Sequence, residues 1–350
     1  MSIQKHDAHS LKEQNANLVF NALMAMKTAT RRQLAWRTGL SQPTVNSIVH
    51  ELENMGVAHP GNFAVSAGGR RPQCYTLHTD HLRAATIRVL AGSLEYVVVA
   101  VDGTVILRNS WTVADTDSPV VTLRSLLATL LKQDCDIRVV SIGVPGVVGP
   151  GGMLRAIPQI PALEGVALKR ELDEMFDLPI YIENDMNLVA LGSVVDESGL
   201  AAANDAVLVH IGEGMRAGIV IGGRIIRGYS SFAGEIEYMV GPPGVCEEGE
   251  TLEHLLAETN SVAQQARLIS GMIVSIICLL NPPVISFGSN LASEEMLRYL
   301  RSECEKRLPL WTLPSFQLMA DEEASYDRGL MALVGDVLTS QILHELSIMS

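Results

Sequence analysis

The stretch of this sequence best suited to chemistry on a phosphate is VLVHIGEGMRAGIVIGG, residues 207–223. An apolar, β-prone segment runs into a turn that holds Gly212 and Gly214, and a second apolar segment follows. Glycine-rich turns of this kind bind phosphates through backbone N–H groups. Glu213 stands between the two glycines, and its carboxylate would repel the anion that such a turn attracts. The turn therefore combines the backbone of a phosphate site with a side chain that opposes phosphate.

The elements that must position this turn occur twice in the chain. Residues 85–107 are predicted as three strands joined by two glycine turns, and residues 207–226 repeat this pattern. In each copy the first and the last turn glycine are eleven residues apart. The repeat predicts two related lobes, each a sheet with helices packed on it, and a ligand cleft between them.

Composition bounds the class of protein. With 350 residues, of which 47% are apolar and 19% charged, the chain is predicted to fold into two or three domains. The net charge of −13 is unevenly spread, with +3 over residues 1–80 and −16 over the remainder. The five widely spaced cysteines indicate reduced thiols in a cytoplasm. No signal peptide is predicted, and the longest apolar run, residues 272–280, is too short to span a bilayer, so no membrane segment is predicted either.

The basic head is predicted to contain a helix-turn-helix. An amphipathic helix over residues 11–26 precedes a short second helix, which Thr30 caps and Gly39 ends, and a third helix that Ser41 caps. The outward face of the third helix is small, polar and almost uncharged, as suits contact with base edges in a major groove. The residues predicted to contact DNA from this segment are Ser41, Gln42, Thr44, Asn46, Ser47 and His50.

Two pairs of arginines are predicted to contact DNA from either side of that helix. Arg31 and Arg32 start the second helix, and Arg70 and Arg71 lie in the glycine-rich limb of a predicted hairpin, SAGGRRP. Residues 1–81 are therefore predicted as a winged helix-turn-helix domain for double-stranded operator DNA. The alternative is a helical protein-interaction module whose polar face is merely solvated.

The body carries motifs that resemble the ROK family of repressors, open reading frames and sugar kinases: IGVPGVV, IENDMN, FAGEIEYM, TLEHLL and NPPVISFG. The head, through LAWRTGLSQPTVNSIVHELENMGV and GGRRP, resembles that of the NagC-like and Mlc-like repressor branch. The resemblance implies an α/β fold in which the winged head precedes an actin-like, sugar kinase-like domain of two lobes with a sugar bound between them. It implies lobe 1 at residues 82–195, to which a C-terminal helix of about 330–350 returns, and lobe 2 at residues 196–329.

The resemblance also implies a ring of sugar-binding residues in the cleft. They are Asn184, Asp185, Glu235, Tyr238, Glu253 and Gln159. Carboxylates and an amide suit a polyol, because a charged acceptor takes a hydroxyl proton in a strong, directional hydrogen bond. In the family's kinases the residue matching Asp185 is the general base. From the residues alone, the alternative is that Asp185 caps its helix and that Glu235 and Glu253 are surface acids.

Departures from the family pattern argue against phosphoryl transfer. Arg88 stands near the aspartate of the kinases' first phosphate turn, while Glu213 and Arg216 replace a hydroxyl donor and a glycine in the second. At an effective dielectric of about 20, a carboxylate about 4 Å from a phosphate charge costs roughly 4 kcal/mol. No catalytic residue is therefore assigned.

The family's zinc site is incomplete as well. Tyr238 replaces its histidine, and of its three cysteines only Cys246 remains. One thiol cannot hold a tetrahedral Zn²⁺, so no metal and no other cofactor is predicted.

The sequence is thus interpreted as a cytoplasmic transcription regulator, a repressor and not an enzyme. It is predicted to act as a homodimer or homotetramer and to respond to a sugar or sugar phosphate. Two alternatives stay open at this point: a ROK sugar kinase with a DNA-binding head, and a regulator whose body responds to a protein partner.

Overall fold

A computed structural model describes residues 3–63, 72–77, 82–101, 103–114, 118–195, 204–212, 214–239, 251–288 and 291–348. These residues form a small head followed by a body of two lobes, which confirms the predicted α/β fold class.

The described part of the head consists of helices around a small antiparallel sheet with strand order β1-β3-β2. Its elements are α1 (Ile3–Met26), β1 (Ala29–Thr30), α2 (Arg31–Thr38), α3 (Gln42–Asn54), β2 (Ala58–Phe63) and β3 (Gln73–Leu77).

The capping residues expected in the head are confirmed. The Thr30 hydroxyl accepts the Gln33 N–H at 3.2 Å, and the Gln33 side chain accepts the Thr30 N–H at 2.8 Å. Gly39 ends α2 with a φ of 71°, a left-handed conformation that glycine adopts without strain. Ser41 Oγ then accepts the Thr44 N–H at 3.3 Å and starts α3. These caps fix the turn between α2 and α3.

Lobe 1 is built on a sheet with strand order β10-β7-β4-β5-β6. Its strands are β4 (Arg83–Leu90), β5 (Ser93–Ala100), β6 (Val105–Thr112), β7 (Ile137–Val144) and β10 (Ile180–Asn184). Helices α4 (Pro119–Gln133), α5 (Leu168–Asp173) and α6 (Asp185–Ser193), the short pair β8 (Val147–Val148) and β9 (Leu154–Arg155), and the 3-10 turns Pro150–Gly152 and Pro161–Leu163 complete it.

Lobe 2 is built on a sheet with strand order β13-β12-β11-β14-β15. Its strands are β11 (Ala206–His210), β12 (Arg216–Ile221), β13 (Arg224–Ile225), β14 (Val284–Gly288) and β15 (Ser315–Leu318). The helices are α7 (Leu252–Glu258), α8 (Val262–Leu280), α9 (Glu294–Glu305) and α10 (Glu322–Ile348), with 3-10 turns at Ile236–Tyr238 and Leu310–Thr312.

The two sheets repeat one topology. In each, three antiparallel strands are followed by two strands that add in parallel beside the first, so the order along both sheets is third, second, first, fourth, fifth. The repeat of three strands joined by glycine turns is therefore confirmed, and the structure extends the likeness to all five strands of each sheet.

The last helix of each lobe packs on the sheet of the other. Helix α6 follows the last strand of lobe 1 and contacts β11 and β12, while α10 follows the last strand of lobe 2 and contacts β4 and β7. The two helices cross at Gly192 and Gly329, each the eighth residue of its helix. A Cβ at Gly192 would overlap the Ser325 carbonyl, and one at Gly329 would overlap that of Leu188. Only glycine permits this close approach, which ties the lobes together.

Helix α10 also reaches the head. The helix expected over about 330–350 begins at Glu322. Val334 and Leu338 belong to one apolar cluster with Phe20 and Leu23 of α1, and this cluster includes the lobe 1 strand residue Val99. The helix therefore runs from the cleft to the head, while the exact domain boundaries stay predictions.

Helix α8 has the length and apolar composition of a helix that can cross a membrane. In this fold one face of α8, which includes Ile269, Ile273 and Ile277, is buried in the core of lobe 2, while Leu279 is exposed.

Candidate functional site

The outward face of α3 lies where the sequence places it. Val45, Ile48, Val49 and Leu52 are buried on the inner face. Of the residues predicted to contact DNA, Thr44 is half-buried and the others on this segment, Ser41, Gln42, Asn46, Ser47 and His50, are exposed. The helix therefore presents an uncharged, hydrogen-bonding surface about three turns long.

Arg31 and Arg32, the two arginines of α2 that are predicted to contact DNA, differ in their surroundings. Arg32 is exposed. Arg31 is half-buried, with Nη2 3.1 Å from Glu53 Oε2 and its guanidinium 4.8 Å above the ring of Tyr75. Its contact with DNA phosphate stays a prediction. Arg70 and Arg71 lie outside the described residues.

Two exposed residues of α2 are not among the residues that the sequence predicted to contact DNA. The Trp36 side chain is 85% exposed, and Arg37 beside it is exposed as well. The signal was available, because Trp36 is out of step with the buried face that Leu34 marks.

In the cleft, Asn184 has a structural role. Its Oδ1 accepts the Asn187 N–H at 3.1 Å and so caps α6, while Nδ2 donates to the Gly146 carbonyl at 2.6 Å. Gly146 has a φ of 101°, which requires glycine. The cap of this helix is therefore Asn184, and Asp185 is its first helical residue.

Beneath this cap lies a buried carboxylate that sequence reasoning missed. Glu183 is 2% exposed, and its Oε1 accepts the Asn184 N–H at 2.9 Å and the Asn187 side-chain amide at 2.8 Å. Its Oε2 accepts from Arg227 Nε at 2.7 Å and also contacts Arg227 Nη2. Since Glu183 lies in β10 and Arg227 follows β13, this ion pair, in which two guanidinium nitrogens meet one carboxylate oxygen, joins the lobes.

A second ion pair joins the lobes at Asp185. Arg216 of β12 places Nη1 3.6 Å from Asp185 Oδ1 and donates from Nε to the Gly214 carbonyl at 3.3 Å. Burial raises the pKa of the Asp185 carboxyl, and the positive charges of Arg216 and Arg88 oppose that rise. The position that serves as general base in the resembling kinases is thus in contact with a guanidinium.

Glu235 shares this region. It lines one recess with Asn184, Asn187, Arg216 and Ser231. Burial raises the pKa of Glu235, Arg216 opposes the rise, and the neighbouring carboxylates of Glu237 and Asp185 reinforce it. The structure thus brings Asn184, Asp185 and Glu235 together around Arg216.

The other predicted ligand residues lie apart from the recess. Glu253 Oε1 accepts the Gly214 N–H at 2.7 Å, so a protein carboxylate occupies a donor of the phosphate-type turn. Tyr238 is 63% exposed, with its ring 5.2 Å from that of Phe232, and Gln159 is exposed. Glu213 lies outside the described residues.

Arg88 ends in the cleft beside α10. Its guanidinium lies 4.4 Å from the centre of the Tyr326 ring, and Nη1 is 3.9 Å from carboxylate oxygens of both Glu95 and Glu323. A positive charge therefore lies near the lobe 1 position where the resemblance expects an aspartate.

Lobe 2 has a matching arrangement at His210, which sequence reasoning did not assign. His210 is the last residue of β11, as Arg88 is the last residue of β4 that pairs with β7. Its Nδ1 is 3.5 Å from Glu322 Oε1, and this contact lowers the pKa of the Glu322 carboxyl. Both central strands thus meet the acidic first turn of α10 with a basic side chain.

In the part of the chain that the structure describes, no group of three or more His, Cys, Asp or Glu side chains is placed to hold a metal ion. Cys246 and its neighbours lie outside that part. The absence of a metal stays a prediction.

Comparison with known proteins identifies relatives of this chain. It is 27% identical over 237 residues to a putative xylose repressor of Caldicellulosiruptor sp., covering 65% of this chain and 59% of that protein. It is 25% identical over 241 residues to the xylose repressor of Bacillus subtilis, covering 67% of this chain and 62% of that protein. The chain thus spans less than two thirds of the length of either relative.

The fold has a close counterpart among solved structures. A ROK family transcriptional regulator described as a homolog of the Escherichia coli MLC protein superposes with a TM-score of 0.75 at 18% identity. The match covers 97% of this chain and 100% of that structure, head included. The sequence profile of the ROK family matches residues 86–260, half of the chain. The chain therefore belongs to the ROK family.

Proposed function

We propose that this protein is a transcription regulator, a repressor, that binds operator DNA through its head and a sugar or sugar phosphate through its cleft, without transferring phosphate. The observation that carries the proposal is the exposed, uncharged polar face of α3, held by capped ends on a basic head. Such a face supplies the donors and acceptors that read base edges.

The proposed DNA interface extends beyond α3. Arg32 and the predicted wing residues Arg70 and Arg71 supply charge for phosphates, which positions the helix without reading sequence. Two heads meet successive half-sites of a palindrome when two copies associate, so we infer a homodimer or homotetramer. We infer that the protein acts in the cytoplasm, where its operator lies.

The names of the relatives support the same function. Two relatives along about two thirds of this chain are xylose repressors, one of them putative, and the solved counterpart that includes the head is a transcriptional regulator. The sugar that this chain binds is a separate question, because Tyr238 and Gln159 depart from the family pattern.

In the proposed complex, hydroxyl groups of the sugar donate hydrogen bonds to carboxylates of the cleft. Asp185 and Glu235 face Arg216 from the two lobes, and a polyol that bonds to both acids would favour one lobe arrangement over another. Asn184 lines the same recess and stays a proposed ligand contact, because its amide keeps one N–H and one lone pair beyond its bonds to Gly146 and Asn187.

Loss of phosphoryl transfer is proposed from the same contacts. A general base must accept a proton from the reacting hydroxyl. In this chain the candidate base Asp185 faces Arg216, and Glu253 holds the Gly214 N–H that a phosphate would use. The alternative, a sugar kinase with a DNA-binding head, predicts ATP consumption by the purified protein with magnesium and a panel of hexoses. Sugar phosphate formed above the level of an Asp185→Asn control would establish that alternative.

The proposed signal runs along α10. Its first turn faces Arg88 of lobe 1 and His210 of lobe 2, and its later residues Val334 and Leu338 pack in the cluster that contains the head. A change in lobe spacing would shift this helix and, with it, the separation of two heads. A sugar then changes operator affinity only by its differential affinity for the two lobe arrangements.

The experiment that tests the function begins with selection of bound sequences from random duplex DNA. Enrichment of a palindrome, lost in a Gln42→Ala/Asn46→Ala double variant, is expected. Equal recovery of all sequences would contradict the proposal. If a palindrome is enriched and no sugar alters its affinity, capture of a protein from sugar-fed cells would favour the alternative of a protein effector.

A further inference from the structure

Strand β6 forms an edge of the lobe 1 sheet. It pairs with β5 along one side, and among the described strands none pairs with its other side. Seven of its eight residues are exposed, including Val105, Ile106 and Leu107 at 48%, 43% and 38%. An edge strand presents a row of backbone N–H and C=O groups that another strand can satisfy. Among the described strands, its outer side is therefore left able to pair with another strand, and the first three residues of β6 are apolar.

The corresponding edge of lobe 2 is protected. Proteins blunt edges by keeping the strand short or by placing Lys or Pro in it. Strand β13 holds the same place in the repeated strand order and has two residues, whereas β6 has eight residues with neither Lys nor Pro. One topology thus blunts one edge and leaves the other long enough to pair with another strand.

We propose that the β6 edge pairs with the β6 edge of a second copy of this chain, antiparallel and across a two-fold axis. The two five-stranded sheets of lobe 1 then become one continuous sheet. A two-fold contact uses the same patch on both copies, so the strand must complement itself.

The sequence of β6 favours one register of that pairing. An axis at Arg108 would place two guanidiniums opposite each other, which is unfavourable. An axis at Asn109 places Leu107 opposite Trp111 of the other copy, and symmetry repeats this aliphatic–aromatic pair. In the single chain the Asn109 Oδ1 accepts the Ser110 N–H at 2.8 Å. In the paired dimer the Ser110 N–H would donate to a carbonyl of the partner strand instead.

The position of β6 connects the proposed contact to the head. Its neighbour β5 contributes Val99 to the apolar cluster that the head shares with lobe 1. A continuous sheet would therefore fix the separation of two heads through a rigid element. This use rests on the proposed function, whereas the contact itself does not.

Sedimentation of the full chain tests the interface. Leu107→Lys places a charge opposite Trp111 and is expected to halve the mass of the assembly. Val121→Lys is the matched control, because Val121 is a 56% exposed apolar residue on α4, and it is expected to leave the mass unchanged. A monomeric wild-type protein, or an assembly that Leu107→Lys leaves intact, would overturn the proposal.

A cysteine at the proposed axis provides a second readout that leaves the apolar residues of β6 in place. Asn109→Cys brings two thiols face to face with Cα atoms about 4.5–5.5 Å apart, within the range of a disulfide. A covalent dimer is expected on mild oxidation, above the background of the native exposed Cys135 and Cys278. Lys132→Cys on α4 is the control, and cross-linking of Asn109→Cys no greater than that of this control would overturn the interface.

Neither readout uses DNA or sugar. Failure of both leaves the proposed regulation of transcription in place, and failure of DNA binding leaves the β6 contact in place.

Discussion

The head and the cleft use polar side chains in opposite ways. On α3, Gln42, Asn46 and His50 lie exposed along one face. In the cleft, Glu183, Asn184 and Asp185 are in contact with partners from the same chain. The exposed face of α3 can bind DNA without giving up contacts within the chain. A ligand in the cleft must instead compete with the contacts that the cleft residues already make. The proposed regulation uses this difference, because competition with interlobe pairs allows ligand binding to change the arrangement of the lobes.

The largest loss of stability is expected from removing the buried ion pair of the cleft. Glu183→Ala leaves the Arg227 guanidinium and two amide groups without their common acceptor. Loss of one partner of a buried pair costs roughly 3–5 kcal/mol, and the lower end applies because Arg227 is 43% exposed. Chemical denaturation measures the loss. Lys306→Ala, which breaks the surface pair with Glu303, is the control and is expected to cost less than about 1 kcal/mol.

The contrast also explains what the sequence can predict. The head follows from neighbours within four residues, such as Thr30 with Gln33 and Ser41 with Thr44. The cleft depends on partners far apart in the chain, and Glu183 lies 44 residues from Arg227. No local sequence pattern predicts a contact between residues so far apart, so the roles of Glu183, Arg227 and His210 were not predicted. The hydrogen bond from Asn184 to Gly146 was not predicted for the same reason.

Single substitutions in the head are expected to separate base reading by α3 from phosphate contact by α2. Asn46→Ala removes a side chain predicted to read a base, so discrimination at one base pair is expected to fall by about 1–3 kcal/mol. Arg32→Ala removes a predicted phosphate contact, so affinity should fall for all sequences and the salt slope by about 0.9. Binding isotherms at several salt concentrations separate the two effects. If both variants lower affinity equally for every sequence, the assignment of the α3 face is wrong.

The smallest effect is expected where α10 meets lobe 2. His210 lowers the pKa of the Glu322 carboxyl from 4.5 in the folded state. A lowered carboxyl pKa adds stability at pH values above 4.5, and that stability is lost as the pH falls through the lowered folded-state value. Because the Glu322 side chain is 39% exposed, the contribution is expected to be less than about 1 kcal/mol.

Glu322→Gln should remove this pH-dependent part of the unfolding free energy. Glu323→Gln is the matched control, because that side chain is 75% exposed. Identical acid unfolding of Glu322→Gln and wild type would show that the contact with His210 contributes nothing.

Sugar sensing by the cleft is tested by operator affinity measured with and without sugars. The duplex selected by the wild-type protein is titrated in the presence of a panel of neutral sugars and sugar phosphates, with no nucleotide present. At least one compound is expected to change the dissociation constant at least five-fold, and Asp185→Asn/Glu235→Gln is expected to abolish the change while leaving the affinity for DNA without sugar intact. An affinity that stays constant across the whole panel would show that the cleft does not sense a sugar.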